Sequence, residues 1–413
     1  MKTLVLGSGG REHALAWRLR DFGEVIWAPG NPGALRHGIA TLDMSDPLEC
    51  AKFVQPDLIV IGPENPLIEG LADALRAEGF AVVGPGARGA KLEASKAWSK
   101  EMMLAAGVPT AASAVCTTPE QARAFARARH DRGLQVVIKA SGAALGKGVI
   151  VTSDLAEADD AIAMMIVDRE FGDAGATVVV EDRLGGFEFS LLTLVNGRGY
   201  QSLPVAQDYK RALDGDRGPN TGGMGTYSPV PAVTADVVSR TEELVVAPLL
   251  AELEKQGISY RGVLFSGLMM DGDSIQCLEY NVRFGDPETQ SVMRRLGPDF
   301  GDALLACANN DEIPPVAVSQ EAAVTVVMAA GGYPGQVQRN IPIHIPSDMP
   351  EEVEIFHAGT AMQGDQLVSS GGRVLGVSAV GADVAAARAT AYRAVAKIES
   401  EGLIWRTDIG ARG

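Results

Sequence analysis

The sequence predicts an α/β protein in three parts: an open parallel-sheet domain, a second unit carrying a small subdomain, and a small C-terminal α/β domain. Three observations predict this. Short β-branched runs alternate with helical periodicities through residues 1–90, the rhythm of a parallel sheet covered by helices. The length of 413 residues suits two or three domains. A hydrophobic fraction of 46% beside 21% charged residues is globular.

In the first part, residues 2–6, 25–28, 58–61 and 81–83 predict strands, and 11–21, 47–55 and 66–79 predict helices. The strands run into Gly7-Ser8-Gly9-Gly10, Pro29-Gly30-Asn31-Pro32-Gly33, Gly62-Pro63-Glu64-Asn65-Pro66 and Gly84-Pro85. These turns all lie at carboxyl ends of strands, the edge where open α/β sheets bind ligands. Ordinary turn chemistry explains some of them and hardly all four. A helix over 95–106 leads into the second part. There 136–139, 149–152 and 177–181 predict strands, with helices at 119–130 and 154–167, a small piece within 115–190. Residues 204–231 predict a long polar, Gly-rich loop, a length that usually carries function. A helix at 234–256 and a hairpin, 263–270 with 274–281, complete the unit. After Ile313-Pro314-Pro315, strands near 324–329, 354–357 and 373–380 and a helix at 382–400 form the last part.

Composition excludes several classes of function. With 36 Lys+Arg against 52 Asp+Glu the net charge is −16, which argues against a nucleic-acid partner. Small anionic substrates stay open, since they need only a few local cations. Cys50, Cys116, Cys277 and Cys307 form no CxxC pair, so a structural zinc is not expected and reduced cysteines point to the cytoplasm. The start, MKTLVLGSGG, is too short an apolar run for a secretory signal, and no stretch approaches a membrane span. The expectation is a soluble cytoplasmic protein.

Five segments carry candidate chemistry. Gly7-Ser8-Gly9-Gly10-Arg11-Glu12 invites a dinucleotide reading, yet Glu12 stands where the third glycine belongs and no acid ends the second strand. What remains is a glycine turn at a helix N-terminus, suited to a phosphate, with Gly9 and Gly10 its candidate contacts. In Lys139-Ala140-Ser141-Gly142-Ala143-Ala144-Leu145-Gly146-Lys147-Gly148 the spacing is no Walker motif. It predicts a Gly-rich hairpin between strands, able to fold over ATP phosphates with both lysines neutralising charge. The strand end Val180-Glu181-Asp182-Arg183-Leu184, with Glu188 beyond, suits an adenine edge and ribose hydroxyls, although an acidic strand end is more often merely solvated. Asp208-Tyr209-Lys210-Arg211 suits a carboxylate or phosphate, and Asn220-Thr221-Gly222-Gly223 a close backbone approach. Finally Glu279 and Asn281, two apart on a strand, share a face and offer hard oxygens to Mg²⁺, with Arg283 placed to hold a transferring phosphoryl group. Asp271 and Asp273 are the rival pair, but Asp-Gly-Asp is a hairpin turn signal.

GSGGREHALAW, GPENPLIEGL, KLEASKAWSK, VVIKASGAALGKGVIV, AQDYKR, GPNTGGMGTYSP, EYNVRFGDPETQ, VVMAAGGYPG and FHAGT occur in this order. Together they resemble the glycinamide ribonucleotide synthetase (phosphoribosylamine–glycine ligase) family of ATP-grasp enzymes, from residue 1 to about 410. The resemblance implies an N-terminal phosphoribosylamine-binding domain at 1–99, a bipartite ATP-grasp domain at 100–306 with a lid at 115–190, and a C-terminal domain at 320–413. It implies a monomeric purine-biosynthesis ligase whose substrates are glycine, 5-phosphoribosylamine and ATP, with Mg²⁺ or Mn²⁺ as metal. By it, Lys96, Lys139, Gly142, Gly146, Lys147, Gly148, Glu181, Leu184 and Glu188 serve the nucleotide, and Glu279 and Asn281 the metal. Gly9, Gly10, Pro63, Glu64, Asn220, Thr221, Gly222 and Gly223 serve the other substrates, and Arg283, Lys210 and Asp208 the chemistry. The family usually has Asp where Ser141 stands, Glu where Phe187 stands and His where Tyr209 stands. The rival reading is a purine-pathway ATP-grasp ligase that activates formate or bicarbonate.

Overall fold

The computed structural model describes residues 1–142 and 148–413. It opens with a five-stranded parallel sheet whose spatial order is Ala40–Thr41, Glu24–Pro29, Lys2–Gly7, Leu58–Ile61 and Val82–Val83. The first strand therefore lies between the second and the fourth, and the chain turns away in opposite directions after Gly7 and after Ile61. That divergence is a topological switch point, which opens a crevice at the carboxyl edge. The predicted helix over 66–79 is two helices, Glu64–Ile68 and Leu71–Ala77, parted at Gly70 with φ +88°. Ala87–Ala94, a helix the periodicity did not show, precedes Lys96–Ala105.

Residues 113–182 form a separate antiparallel sheet, ordered Ser113–Cys116, Val178–Asp182, Val136–Ala140, Val149–Val151. Helices Pro119–His130 and Leu155–Ile162 cover it. Its apolar core, including Cys116, Ile138, Ile162 and Val180, is a cluster of its own, whereas the other two cores join the N-terminal, central and C-terminal sheets. A body that shares no core with its neighbours is physically able to tilt on its linkers.

The central sheet is antiparallel, with Phe187–Asn196 and Gly262–Asp271 side by side, flanked by Gly199–Ser202 and Ser274–Asn281. Residues 204–231 depart from the predicted loop. They contain Gln207–Asp208, the hairpin Arg211–Leu213 with Arg217–Asn220, and Gly225–Ser228. Gly225–Ser228 pairs with Ala322–Ala330, so this segment is the edge of the C-terminal sheet, which continues through Arg373–Gly381 to Val353–His357. Helix Val384–Val395, capped by Asp383, packs on that sheet. Among the described residues, no helix is long and apolar enough to cross a membrane.

The first and last sheets meet at three histidines. His357 donates its backbone N–H to His13 Nδ1 at 2.8 Å, and the His13 ring lies 5.0 Å from those of His37 and Trp27. Burial, with neighbouring positive charge, lowers His13 well below its ordinary value, His37 to about 4 and His357 to about 3. A base depressed in the fold takes its proton first in the unfolded chain, so stability is present at neutral pH and drains as pH falls below about 6.5. Carboxyls that burial pushes up, such as Glu93, Asp208 and Glu288, run the other way. The informative comparison is therefore His37→Asn with the parent chain. Its urea midpoint should fall less between pH 7 and pH 5; an identical fall in both would remove His37 from the acid response.

Candidate active site

The crevice at the switch point is filled by a side chain. Glu12 Oε2 accepts the Gly9 N–H at 2.6 Å, while Oε1 pairs with Arg11 Nε at 2.5 Å. A Cβ on Gly62 would overlap this carboxylate, so that glycine makes room for Glu12 and not for a pyrophosphate. The dinucleotide reading thus fails for a physical reason. The Gly9 amide at the expected phosphate turn is held by Glu12. Beside Ser8, a cleft of about 550 Å³ opens between Pro29, Gly30, Asn31 and Pro32 and the C-terminal residues Gly359, Thr360 and Ser370.

Arg283 is the hub next to this edge. Its Nη2 bonds Glu93 Oε1 at 2.8 Å, Glu93 Oε2 accepts the Val282 N–H at 2.8 Å, and Glu64 Oε2 lies 3.6 Å from Arg283 Nε. Arg11 reaches the same loop through the Phe284 carbonyl at 3.1 Å. Burial works to raise the Glu64 carboxyl, but Arg283 and Arg11 outweigh it and hold it below its ordinary range. Pro63 precedes Glu64 as the N-cap of its short helix.

The expected nucleotide wall lies where the separate sheet of residues 113–182 meets helix Lys96–Ala105. Lys139 Nζ is 2.5 Å from Glu181 Oε1, and Lys100 Nζ is 2.9 Å from Glu181 Oε2. Glu181 is 2% exposed. Its carboxylate pairs with two lysines, and its backbone lies at the strand end where an adenine edge is expected. Leu184 follows on the linker to the central sheet, and the Gly148 carbonyl accepts the Ala140 N–H at 2.8 Å. Gly146 and Lys147 lie outside the described residues. Ser141 caps a helix, since its Oγ accepts the Ala97 N–H at 3.1 Å and its carbonyl the Lys96 N–H at 2.8 Å. It thereby satisfies free amides at the start of Lys96–Ala105. The adjoining Gly142 donates its N–H to the Ala174 carbonyl at 3.0 Å.

Lys210 sits among three carboxylates. Its Nζ is 2.5 Å from Glu188 Oε2 and 2.9 Å from Asp208 Oδ1. Glu288 lies behind them, 4% exposed, with Ser190 Oγ donating to its Oε1 at 3.3 Å. Burial and the Asp208 charge push the Glu288 carboxyl up to about 7. A lone lysine cannot balance three anions, so this corner holds a proton near neutrality.

Glu279 and Asn281 pair with Gly267 and Phe265 in register and so share a face of the strand, as the spacing predicts. Burial favours the neutral acid at Glu279, but Lys139, Lys96, Lys210 and Arg283 outweigh it and keep the carboxylate charged. No group of three or more His, Cys, Asp or Glu among the described residues is placed to hold a metal. A hard cation would therefore rest on the Glu279 carboxylate and the Asn281 amide, completed by phosphate oxygens and water, and this all-oxygen pair fits Mg²⁺ or Mn²⁺. Asp271 and Asp273 are exposed in the hairpin turn, as expected.

The 218–225 loop is spoken for from the C-terminal side. Gly222 donates its N–H to Tyr333 Oη at 2.9 Å and its carbonyl accepts from Arg373, which also lies 3.1 Å from Asp286 Oδ2. Gly223 donates to Thr221 Oγ1 at 3.0 Å, and a Cβ there would overlap Pro287. Arg373 and Pro287 approach these glycines closely from the protein side. Asn220 Nδ2 donates to the Val149 carbonyl at 3.3 Å and so touches the separate sheet of residues 113–182.

Family models cover nearly the whole chain in three consecutive blocks. They are the N domain of phosphoribosylglycinamide synthetase at residues 1–93, its ATP-grasp (A) domain at 94–289 and its C domain at 323–412. The chain belongs to the phosphoribosylglycinamide synthetase family. A phosphoribosylamine–glycine ligase of Agrobacterium fabrum is 45% identical over 99% of this chain and 98% of its own. One from Streptomyces coelicolor is 43% identical over 100% of this chain and 99% of its own. A solved phosphoribosylamine–glycine ligase from Thermotoga maritima superposes with a TM-score of 0.88 at 37% identity, covering 99% of this chain and 100% of that one. A biotin carboxylase from Campylobacter jejuni, at TM-score 0.76 and 13% identity, shares the fold over 98% of this chain and 92% of its own.

Within this synthetase fold, sequence reasoning missed Glu93, Asp286, Glu288 and Arg373. The first three stand inside motif strings, so their presence was visible and their partners were not. Arg373 reaches Gly222 from 151 positions away and has no local signal.

Proposed function

We propose that the chain ligates glycine to 5-phosphoribosylamine at the expense of ATP, releasing glycinamide ribonucleotide, ADP and phosphate. A glycine carboxylate oxygen attacks the γ-phosphorus; the new O–P bond replaces the bond to ADP and gives glycyl phosphate. The amine nitrogen of phosphoribosylamine then attacks the carbonyl carbon. Phosphate leaves with the bridging oxygen, and the nitrogen loses a proton as the amide forms. What supports this reading is the placement of a charged Glu279 within the field of four cations, one of which, Arg283, also pairs with Glu64 at the switch-point edge. The phosphoryl-transfer corner and the second-substrate edge thus share one guanidinium.

Lys96 and Lys139 neutralise the nucleotide, with adenine against the backbone of 181–184. Glu279 and Asn281 would hold Mg²⁺ or Mn²⁺, which would supply charge neutralisation to the transferring group. Arg283, Lys210 and Asp208 hold the reacting anions, and Glu64 with Pro63, Gly9 and Gly10 borders the ribosyl substrate. Asn220 and Thr221 link the lid to the Lys210 segment, which keeps water from the acyl phosphate. In this reading residues 1–99 hold phosphoribosylamine, 100–306 hold ATP with 115–190 as lid, and 320–413 close the crevice. The whole machinery comes from one copy of the chain, in the cytoplasm.

ADP release should require glycine and phosphoribosylamine together. Equal turnover when formate or bicarbonate replaces glycine would move the chain to the rival ligase reading.

A further inference from the structure

Asp208 ends the strand Gln207–Asp208 and Lys210 follows two residues on, with Tyr209 between them turned to the C-terminal segment. There the Tyr209 ring is buried and enclosed by two guanidinium groups, with Arg406 Cζ 4.8 Å and Arg412 Cζ 4.4 Å from its centroid. Both arginines belong to the last segment of the chain, outside every motif the function uses. Arg406 is 1% exposed and fully committed: Nε and Nη2 bond Asp408 at 2.7 and 2.6 Å, and Nη1 bonds the Arg211 carbonyl and Asp216 Oδ1, each at 3.0 Å. The hairpin after Lys210 is tied to the same segment. Thr407 Oγ1 donates to Asp214 Oδ2 at 2.6 Å, and Gly215 N–H to Asp408 Oδ2 at 2.9 Å. The segment is itself anchored, since Arg388 Nε donates to the Ile409 carbonyl at 3.0 Å and Tyr392 Oη to the Arg406 carbonyl at 2.7 Å.

We propose that residues 405–412 are a brace that positions Lys210 and Asp208 from behind, with Tyr209 as the contact and Arg406 and Arg412 as positioning residues. Cation–π attraction strengthens when the cation is desolvated, as Arg406 is, and it needs a flat ring of any polarity. The Asp208 and Lys210 side chains are free to face the cleft only because Tyr209 between them is held. A catalytic geometry maintained within fractions of an ångström depends on such support.

This inference rests on the placement of Lys210 at the reacting centre, so Lys210→Met is measured beside it. In the full chain, with glycine, phosphoribosylamine and ATP, Tyr209→Leu should lower kcat at least tenfold and Arg412→Ala about threefold. KM for ATP should stay within twofold, because Lys139 and Lys96 lie on other elements. Tyr209→Phe, which keeps the ring, should restore most of the rate. The brace is refuted by a folded Tyr209→Leu chain with parental kcat, by Tyr209→Phe falling as far as Tyr209→Leu, or by a rise in KM for ATP that accounts for the loss. Where Tyr209→Leu does not fold, Arg412→Ala, on a half-exposed side chain, decides alone by the same kcat and KM readings. A fully active Lys210→Met chain would overturn the site assignment; an inactive one beside an unaffected Tyr209→Leu overturns the brace alone.

Discussion

Glu279→Gln is expected to lower ADP release roughly a thousandfold, about 4 kcal/mol of transition-state stabilisation. The substitution keeps shape and hydrogen-bonding capacity and removes only the anion. Four cations hold that carboxylate charged against its own burial, which is the arrangement a divalent ion and a polyphosphate require. A carboxyl held below its ordinary range stabilises the fold at neutral pH, so the melting temperature should drop slightly, far less than activity does. Raised Mg²⁺ should recover part of the rate, since affinity is what is lost. Asp273→Asn serves as the control, because that side chain is exposed in a turn and only its backbone carbonyl is used, by Arg240. Loss of activity in Asp273→Asn, with Glu279→Gln unaffected, would put the metal in the hairpin turn.

The second large effect is expected on stability. Glu181→Gln leaves Lys139 and Lys100 buried without their shared anion, and breaking a buried pair from one side costs about 3–5 kcal/mol. Lys139→Met should cost less, since Glu181 then keeps Lys100. Both should raise KM for ATP, because Lys139 also donates to the Leu278 carbonyl, one residue before Glu279, at 3.3 Å. Urea titrations read the ranking directly. Glu181→Gln with parental stability would mean that the lysines are solvated, and the lid junction would need a different account.

Local signals carried much of this fold. The N-terminal strands were legible because β-branched runs end in Gly and Pro turns, and the Glu279–Asn281 pair because strand periodicity is strict. The strands within 207–228 were not, because they are two to four residues long, and Gly225–Ser228 is completed by Ala322–Ala330, far away in the chain. The close approach of Arg373 and Pro287 to the glycines of that loop has no local signal either. Glu181 was legible by its position at a strand end, but its pairing with Lys100 and Lys139, on separate elements, was not. The capping role of Ser141 was likewise invisible, because the helix it caps begins 45 residues earlier at Lys96.

The central claim is that glycine's carboxylate becomes an acyl phosphate at the Glu279 corner before the amine attacks. Glycine labelled with ¹⁸O in both carboxylate oxygens tests it in a single turnover experiment. The account predicts that the phosphate released with ADP carries a single labelled oxygen while the amide retains the other. Unlabelled phosphate, with product still formed, would contradict it.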